Sequence, residues 1–192
     1  MKPTADRVGP ALVDAVCRAA GRTDVAIHAG TEHAIAGSTP QPEVPQATAL
    51  DGLDHRGHEE FAPNTAVTFL RDAIDAAPGE VTLLTIGPMT NAGLLFSTYP
   101  EAASKLAALM IMGGVYSMSR WVGGGQEWNS YCGPTAARIV YRTPVASHRS
   151  VGLTVSTRCV LSTRESIDRF QALGGPWDVV AAMTEVWGTH AE

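Results

Sequence analysis

Short apolar runs that end in glycine turns and alternate with helix-spaced segments constrain this chain more than any other feature. Val81-Thr82-Leu83-Leu84-Thr85 runs into Ile86-Gly87-Pro88, and Leu106 to Met112 runs into Gly113-Gly114. Strands that are apolar along their length, separated by helices, predict an α/β fold: an open, mostly parallel sheet flanked by helices and covered on both faces. Ligands of such sheets bind beyond the carboxyl ends of the strands, so the two glycine turns are where chemistry is expected.

The remaining elements follow from periodicity and stop signals. Leu12, Val13 and Val16 predict a first helix over Val8 to Ala20, and Val25 to Ala29 reads as a short buried strand. Gly30 to Gln46, with three prolines, reads as a loop. Asn64 is positioned to cap a helix with the stripe Val67, Leu70 and Ile74, and Pro78-Gly79 ends it. Further helices are expected at Thr90 to Thr98 and Pro134 to Tyr141, and a strand near Val145 to His148. The tail from Ser162 to His190 reads as two helices broken at Gly174-Gly175-Pro176.

The 192 residues are 45% hydrophobic and 17% charged, within the range of one globular domain. A net charge of -5 gives no basic field for nucleic acid or an anionic membrane. No apolar run is long enough to span a bilayer, and Met1 to Asp6 lacks the apolar stretch of a signal peptide, so a cytoplasmic setting is expected. Cys17, Cys132 and Cys159 are odd in number and far apart, which suits reduced core thiols better than disulfides or a zinc site.

Two segments offer chemistry. In Thr85-Ile86-Gly87-Pro88-Met89-Thr90-Asn91, Gly87 and Pro88 end the strand and aim the Ile86 carbonyl out of the sheet, while Thr90 and Asn91 are natural helix caps. In Gly123-Gly124-Gly125-Gln126-Glu127-Trp128-Asn129, Glu127 and Asn129 are two apart, so an extended backbone puts an acceptor and an amide on one face, spaced to hold sugar hydroxyls. Taken singly, the first is an ordinary strand-to-helix turn and the second an ordinary surface loop. The polar run Asp51, Asp54, His55, His58, Glu59 and Glu60 contains H-x-x-H but neither H-E-x-x-H nor H-x-x-E-H, and reads as a solvated rim. His28 and His148 read as core or strand-end residues.

Taken together, Thr85 to Asn91, Met112-Gly113-Gly114 and Glu127-Trp128-Asn129-Ser130-Tyr131-Cys132-Gly133-Pro134 resemble, in order and spacing, the inosine-uridine-preferring nucleoside hydrolases. Ala20 to Val25, Ala29-Gly30 and Asp51-Gly52-Leu53 extend the resemblance over roughly Val8 to Ser162. It implies a Rossmann-like sheet and hydrolysis of the N-glycosidic bond of a small-molecule nucleoside by a calcium-bound water, in an enzyme that forms homo-oligomers when complete. Carried over, it makes the Ile86 backbone carbonyl a Ca2+ ligand. Glu127 and Asn129 then grip the ribose, mainly its 5′-hydroxyl, and Met112 lies against the sugar.

The departures from the family are specific. Thr48-Ala49 stands where the family has His-Gly, Gly133 where it has Asp, and Trp121 near where it often has Asn. The opening D-x-D-x-x-x-D-D motif, which supplies the general base and two calcium ligands, does not occur in the sequence. The later His-Asp pair is absent too, since no Asp follows His190. The resemblance therefore implies one partial domain over residues 1–192, truncated at both ends, with no catalytic residue of its own and calcium not held by this chain alone. A non-catalytic ribosyl-binding or structural remnant is the alternative.

Overall fold

A computed structural model describes residues 5–37, 44–116 and 126–189. The chain forms two compact units, one from Met1–Glu32, Pro42–Asn64 and Leu161–Glu192, the other from His33–Gln41 and Thr65–Val160.

The first unit is helical. Helix α1 spans Ala5–Ala19, and 3-10 turns occupy Pro45–Leu50 and His58–Glu60. Helices α8 (Thr163–Leu173) and α9 (Pro176–Gly188) complete it, broken at Gly174-Gly175, where both residues take positive φ. Ser162 caps α8, its hydroxyl accepting from the Glu165 N–H. His190 lies outside the described residues.

Asp14 is buried on α1 and accepts from Arg18 Nε (2.7 Å), Arg56 Nε (2.8 Å) and the Arg56 backbone N–H (2.8 Å). Burial alone would raise this carboxyl, but the Arg56 and Arg18 bonds outweigh it and hold the pKa at about 2. A folded-state value below the unfolded one contributes stability that is complete above about pH 4 and lost as pH falls toward 2. The shift corresponds to roughly 2 kcal/mol. Acid titration followed by helical circular dichroism is expected to show this loss, and Asp14→Asn is expected to abolish it; an unchanged acid profile in the variant would refute the assignment.

The second unit holds the sheet. In chain order it contains α2 (Ala66–Ala76), β1 (Thr82–Thr85), α3 (Thr90–Thr98), α4 (Ala102–Lys105), β2 (Ala108–Met112), α5 (Trp128–Tyr131), α6 (Pro134–Arg142), β3 (His148–Val151) and α7 (Leu153–Ser156). The three strands are parallel in the order β1-β2-β3, with Leu83 beside Leu109 and Ile111 beside Ser150. Leu83, Leu109 and Ile111 share one face and pack with Ile74, Leu95 and Val140 from the helices and with Met89 at the cap of α3. Each such large side chain contributes about 1.5–3 kcal/mol of burial. A Cβ at Gly93 of α3 would lie 3.0 Å from Ala136 of α6, so these helices touch at small residues.

Four expectations are corrected. Val25 to Ala29 joins no ladder; a strand exists only by pairing, and apolar composition does not supply a partner. Thr65 occupies the cap position of α2, and Asn64 instead takes φ 58°. β3 begins at His148, three residues beyond the expected start, because Val145 packs against the core from the connecting segment. The sheet is not covered on both faces among the described residues: Leu84 and Met110, on the face opposite the core, are 59% and 38% exposed. Among the described residues β1 also pairs only with β2, leaving an open edge. An apolar face beside a free edge favours association. Sedimentation at micromolar concentration is expected to show concentration-dependent self-association, and a monodisperse monomer that unfolds cooperatively would contradict it.

Candidate functional site

Parallel pairing brings the carboxyl ends of β1 and β2 side by side, since Thr85 pairs with Ile111. The carbonyls of Ile86 and Met112 therefore emerge together. The Asn129 side-chain amide spans them, its Nδ2 donating to Met112 O at 3.0 Å and to Ile86 O at 3.3 Å, with Met112 Sδ at 3.3 Å. Asn129 is 7% exposed, whereas Ile86 is 73% exposed. The strand ends are thus tied from one side by a buried amide.

Glu127 does not sit in an extended stretch sharing a face with Asn129. It is the N-cap of α5, and its carboxylate turns inward to accept from Asn129 N–H (2.7 Å) and Ser130 N–H (2.9 Å). A third bond comes from Gly114 N–H at 2.9 Å, across the turn that follows β2. Gly114 takes φ +78°, a conformation that glycine adopts without strain. Glu127 is 5% exposed; burial alone would raise its carboxyl, but the bonds from Gly114, Asn129 and Ser130 win and hold it below the usual glutamate range. It is therefore ionised at neutral pH and poor at accepting a proton.

Aromatic rings back the turn. A Cβ at Gly113 would lie 2.7 Å from Met89 Cε and 3.2 Å from Tyr141 Oη, and one at Gly152 would lie 2.6 Å from the Tyr116 ring. The Tyr116 hydroxyl donates to Tyr141 Oη at 2.9 Å, and burial pushes the Tyr141 phenol up. Sequence reasoning missed these tyrosines and the Gly114 donor. The Gly113-Gly114 doublet signals a close approach, but nothing local says what approaches.

The other expected site residues fall as follows. Thr90 begins α3 and makes no capping bond; the cap position is held by Met89. Cys132 is buried, and burial, with Glu127's negative charge, pushes its thiol up, away from nucleophilic use. Cys17 is half-buried and Cys159 exposed, so neither is a core thiol. Gly133 precedes α6 as its N-cap. In the helical unit, Asp54 meets Arg18 at 3.5 Å, His58 meets Glu59 at 3.4 Å, and Glu60 accepts from the Gly57 N–H. His28 is exposed and lies outside any strand, while His148 opens β3 with Nε2 3.1 Å from Ser150 Oγ. Trp121 lies outside the described residues.

These strand ends define an α/β protein with a polar site at the carboxyl edge of its sheet, and comparison with known proteins identifies its kind. The fold matches a plant nucleoside hydrolase, the PpNRh1 enzyme, with a TM-score of 0.77 at 21% identity over 95% of this chain and 58% of that one. It also matches a purine-preferring ribonucleoside hydrolase from Gardnerella vaginalis, with a TM-score of 0.76 at 21% identity over 94% and 58%. In sequence, the chain is 36% identical over 135 residues to the pyrimidine-specific ribonucleoside hydrolase RihA of Salmonella arizonae, covering 68% of this chain and 42% of that protein. The family model described as inosine-uridine preferring nucleoside hydrolase matches residues 8–192, and the chain belongs to that family. It spans about half the length of the curated relatives it matches.

Proposed function

We propose that this chain is a ribonucleoside hydrolase domain that supplies the ribosyl clamp of an N-ribohydrolase site and, by itself, binds the ribosyl group of purine or pyrimidine nucleosides without turnover. The observation that carries this reading is Asn129 bridging the carbonyls of Ile86 and Met112 at adjacent strand ends, with Glu127 beside it accepting from the Gly114 N–H just past β2. A carboxylate has about four acceptor positions, and backbone N–H groups fill three of them here. The Asn129 Nδ2 is engaged, so its Oδ1 is a second acceptor. Met112 offers an apolar side chain beside them. Three cysteines without a disulfide support a cytoplasmic setting, and no helix among the described residues is long and apolar enough to cross a membrane.

Calcium takes six to eight oxygen ligands, carboxylates among them. At these strand ends the described residues offer two carbonyls that already accept from Asn129 and one carboxylate that already accepts from three N–H groups. No group of three or more His, Cys, Asp or Glu side chains among the described residues is arranged to hold a metal. This donor set does not fit a calcium shell, which supports binding without hydrolysis.

The same saturation favours a second reading, in which Glu127 and Asn129 serve the fold alone. Titration with ribose, inosine and uridine, followed by protein NMR, separates the two. The clamp reading expects saturable binding with dissociation constants on the order of 1 mM, because a few hydrogen bonds to a mobile sugar yield little net affinity. Met112→Ala leaves both backbone carbonyls in place and is expected to weaken binding by about tenfold with the fold intact. Absence of any saturable shift at about 10 mM would favour the structural reading.

A further inference from the structure

We propose that the groove between α3 and α6 is a second binding site, for a small organic oxyanion: a phosphate or carboxylate head carried on a flat apolar body. A cavity of about 490 Å3 opens there, within the range of small-molecule sites. Arg138 and Arg142 are four residues apart on α6, so they stand one above the other on the same face, and both line the cavity. Phe96 and Pro100, at the far end of α3 from the strand termini, and Ile139 supply the apolar wall, with Thr135 beside them.

Two cations on one helix face, both lining the cavity, are what point to a ligand. Among the described arginines, Arg18, Arg22, Arg56, Arg71 and Arg164 each rest on an aspartate, whereas Arg138, Arg142, Arg149, Arg158 and Arg169 do not; of these five, Arg138 and Arg142 are the two that share one helix face beside a cavity. Arg138 and Arg142 take part in no ion pair or side-chain hydrogen bond among the described residues, in a chain with 19 acidic residues against 14 basic ones. Like charges four apart on a helix repel, which an anion between them relieves. Guanidinium forks match carboxylate and phosphate oxygens in pairs, whereas a hydroxyl leaves the charge unmet. The apolar wall then distinguishes an organic anion from an inorganic one. The site shares no residue with the Glu127 and Asn129 cluster.

Calorimetric titration of the full chain with phenyl phosphate, benzoate, phenol and inorganic phosphate tests this. Phenyl phosphate or benzoate is expected to bind saturably, and the tighter of the two identifies the head group. Phenol and inorganic phosphate are each expected to bind at least about tenfold more weakly. Arg138→Gln and Arg142→Gln are each expected to raise the dissociation constant by about tenfold, while Arg149→Gln, at an exposed arginine of β3 outside the cavity, leaves it unchanged. Both substituted arginines are exposed on the helix surface, and thermal melting confirms that the variants fold. Failure of both aryl anions to bind at about 10 mM, or binding that survives the double substitution, would overturn the proposal. Phenol binding as tightly as phenyl phosphate would do the same without any variant.

Discussion

Incubated with inosine, uridine or p-nitrophenyl riboside, the purified chain is expected to release base or aglycone no faster than the uncatalysed reaction, in calcium and in chelator alike. Hydrolysis at an anomeric carbon needs an activated water, a group to take its proton and stabilisation of an oxocarbenium-like transition state. Proton transfer by a positioned side chain accounts for about two to four orders of magnitude, and a metal-lowered water pKa for several kcal/mol more. Glu127 is the acid that meets the strand-end cluster, and three backbone N–H groups hold its carboxyl low, which makes it a weak base. No D-x-D-x-x-x-D-D motif occurs in the 192 residues to replace it. Loss of base and metal together is expected to leave the chain about six or more orders of magnitude below a competent enzyme of this class. Release of p-nitrophenol, followed by absorbance, reads the result, and turnover that calcium supports and chelator abolishes would refute it.

The parts of the fold legible in sequence were those with strong local punctuation. α3 occupies Thr90–Thr98 as expected because Gly87-Pro88 ends β1 and leaves the chain no option but to turn. α6 starts at Pro134, a residue preorganised for the first helical turn. The misread parts depend on partners that no local window contains. Val25 to Ala29 has the composition of a strand but no ladder, and the start of β3 is decided by where Leu109 and Ile111 stand on β2.

The site shows the same division. The placement of Ile86 and Met112 at strand ends followed from periodicity, because a parallel sheet puts its carboxyl ends on one edge. The conformation of Glu127 did not. Glutamate is not among the preferred N-cap residues, so Glu-Trp-Asn-Ser does not announce a helix start, and an extended reading was the natural one. The third donor, Gly114, lies 13 residues away, and its bond to Glu127 exists only once the β2 turn is folded.

That bond makes Glu127 a keystone for stability, and Glu127→Ala is expected to cost roughly 3–5 kcal/mol in urea unfolding. Alanine leaves the N–H groups of Gly114, Asn129 and Ser130 without their acceptor in a place where Glu127 itself is 5% exposed. Loss of a helix cap alone typically costs about 1 kcal/mol. The excess arises because the same carboxylate also anchors the turn after β2, and because a buried unsatisfied donor loses about 1–3 kcal/mol. Against a domain stability of about 5–15 kcal/mol, this is a large fraction. Glu127→Gln keeps one oxygen acceptor but turns an NH2 toward the remaining donors, so it is expected to fall between wild type and alanine. The depressed carboxyl fixes the pH dependence: the contribution is complete above the ordinary glutamate range and is lost as pH falls through the lower folded-state value. Urea midpoints at pH 7 and pH 3 are therefore expected to differ more for wild type than for Glu127→Ala. A loss below about 1 kcal/mol at pH 7, with an unchanged denaturant slope, would show that the carboxylate caps α5 and does not hold the strand-end turn.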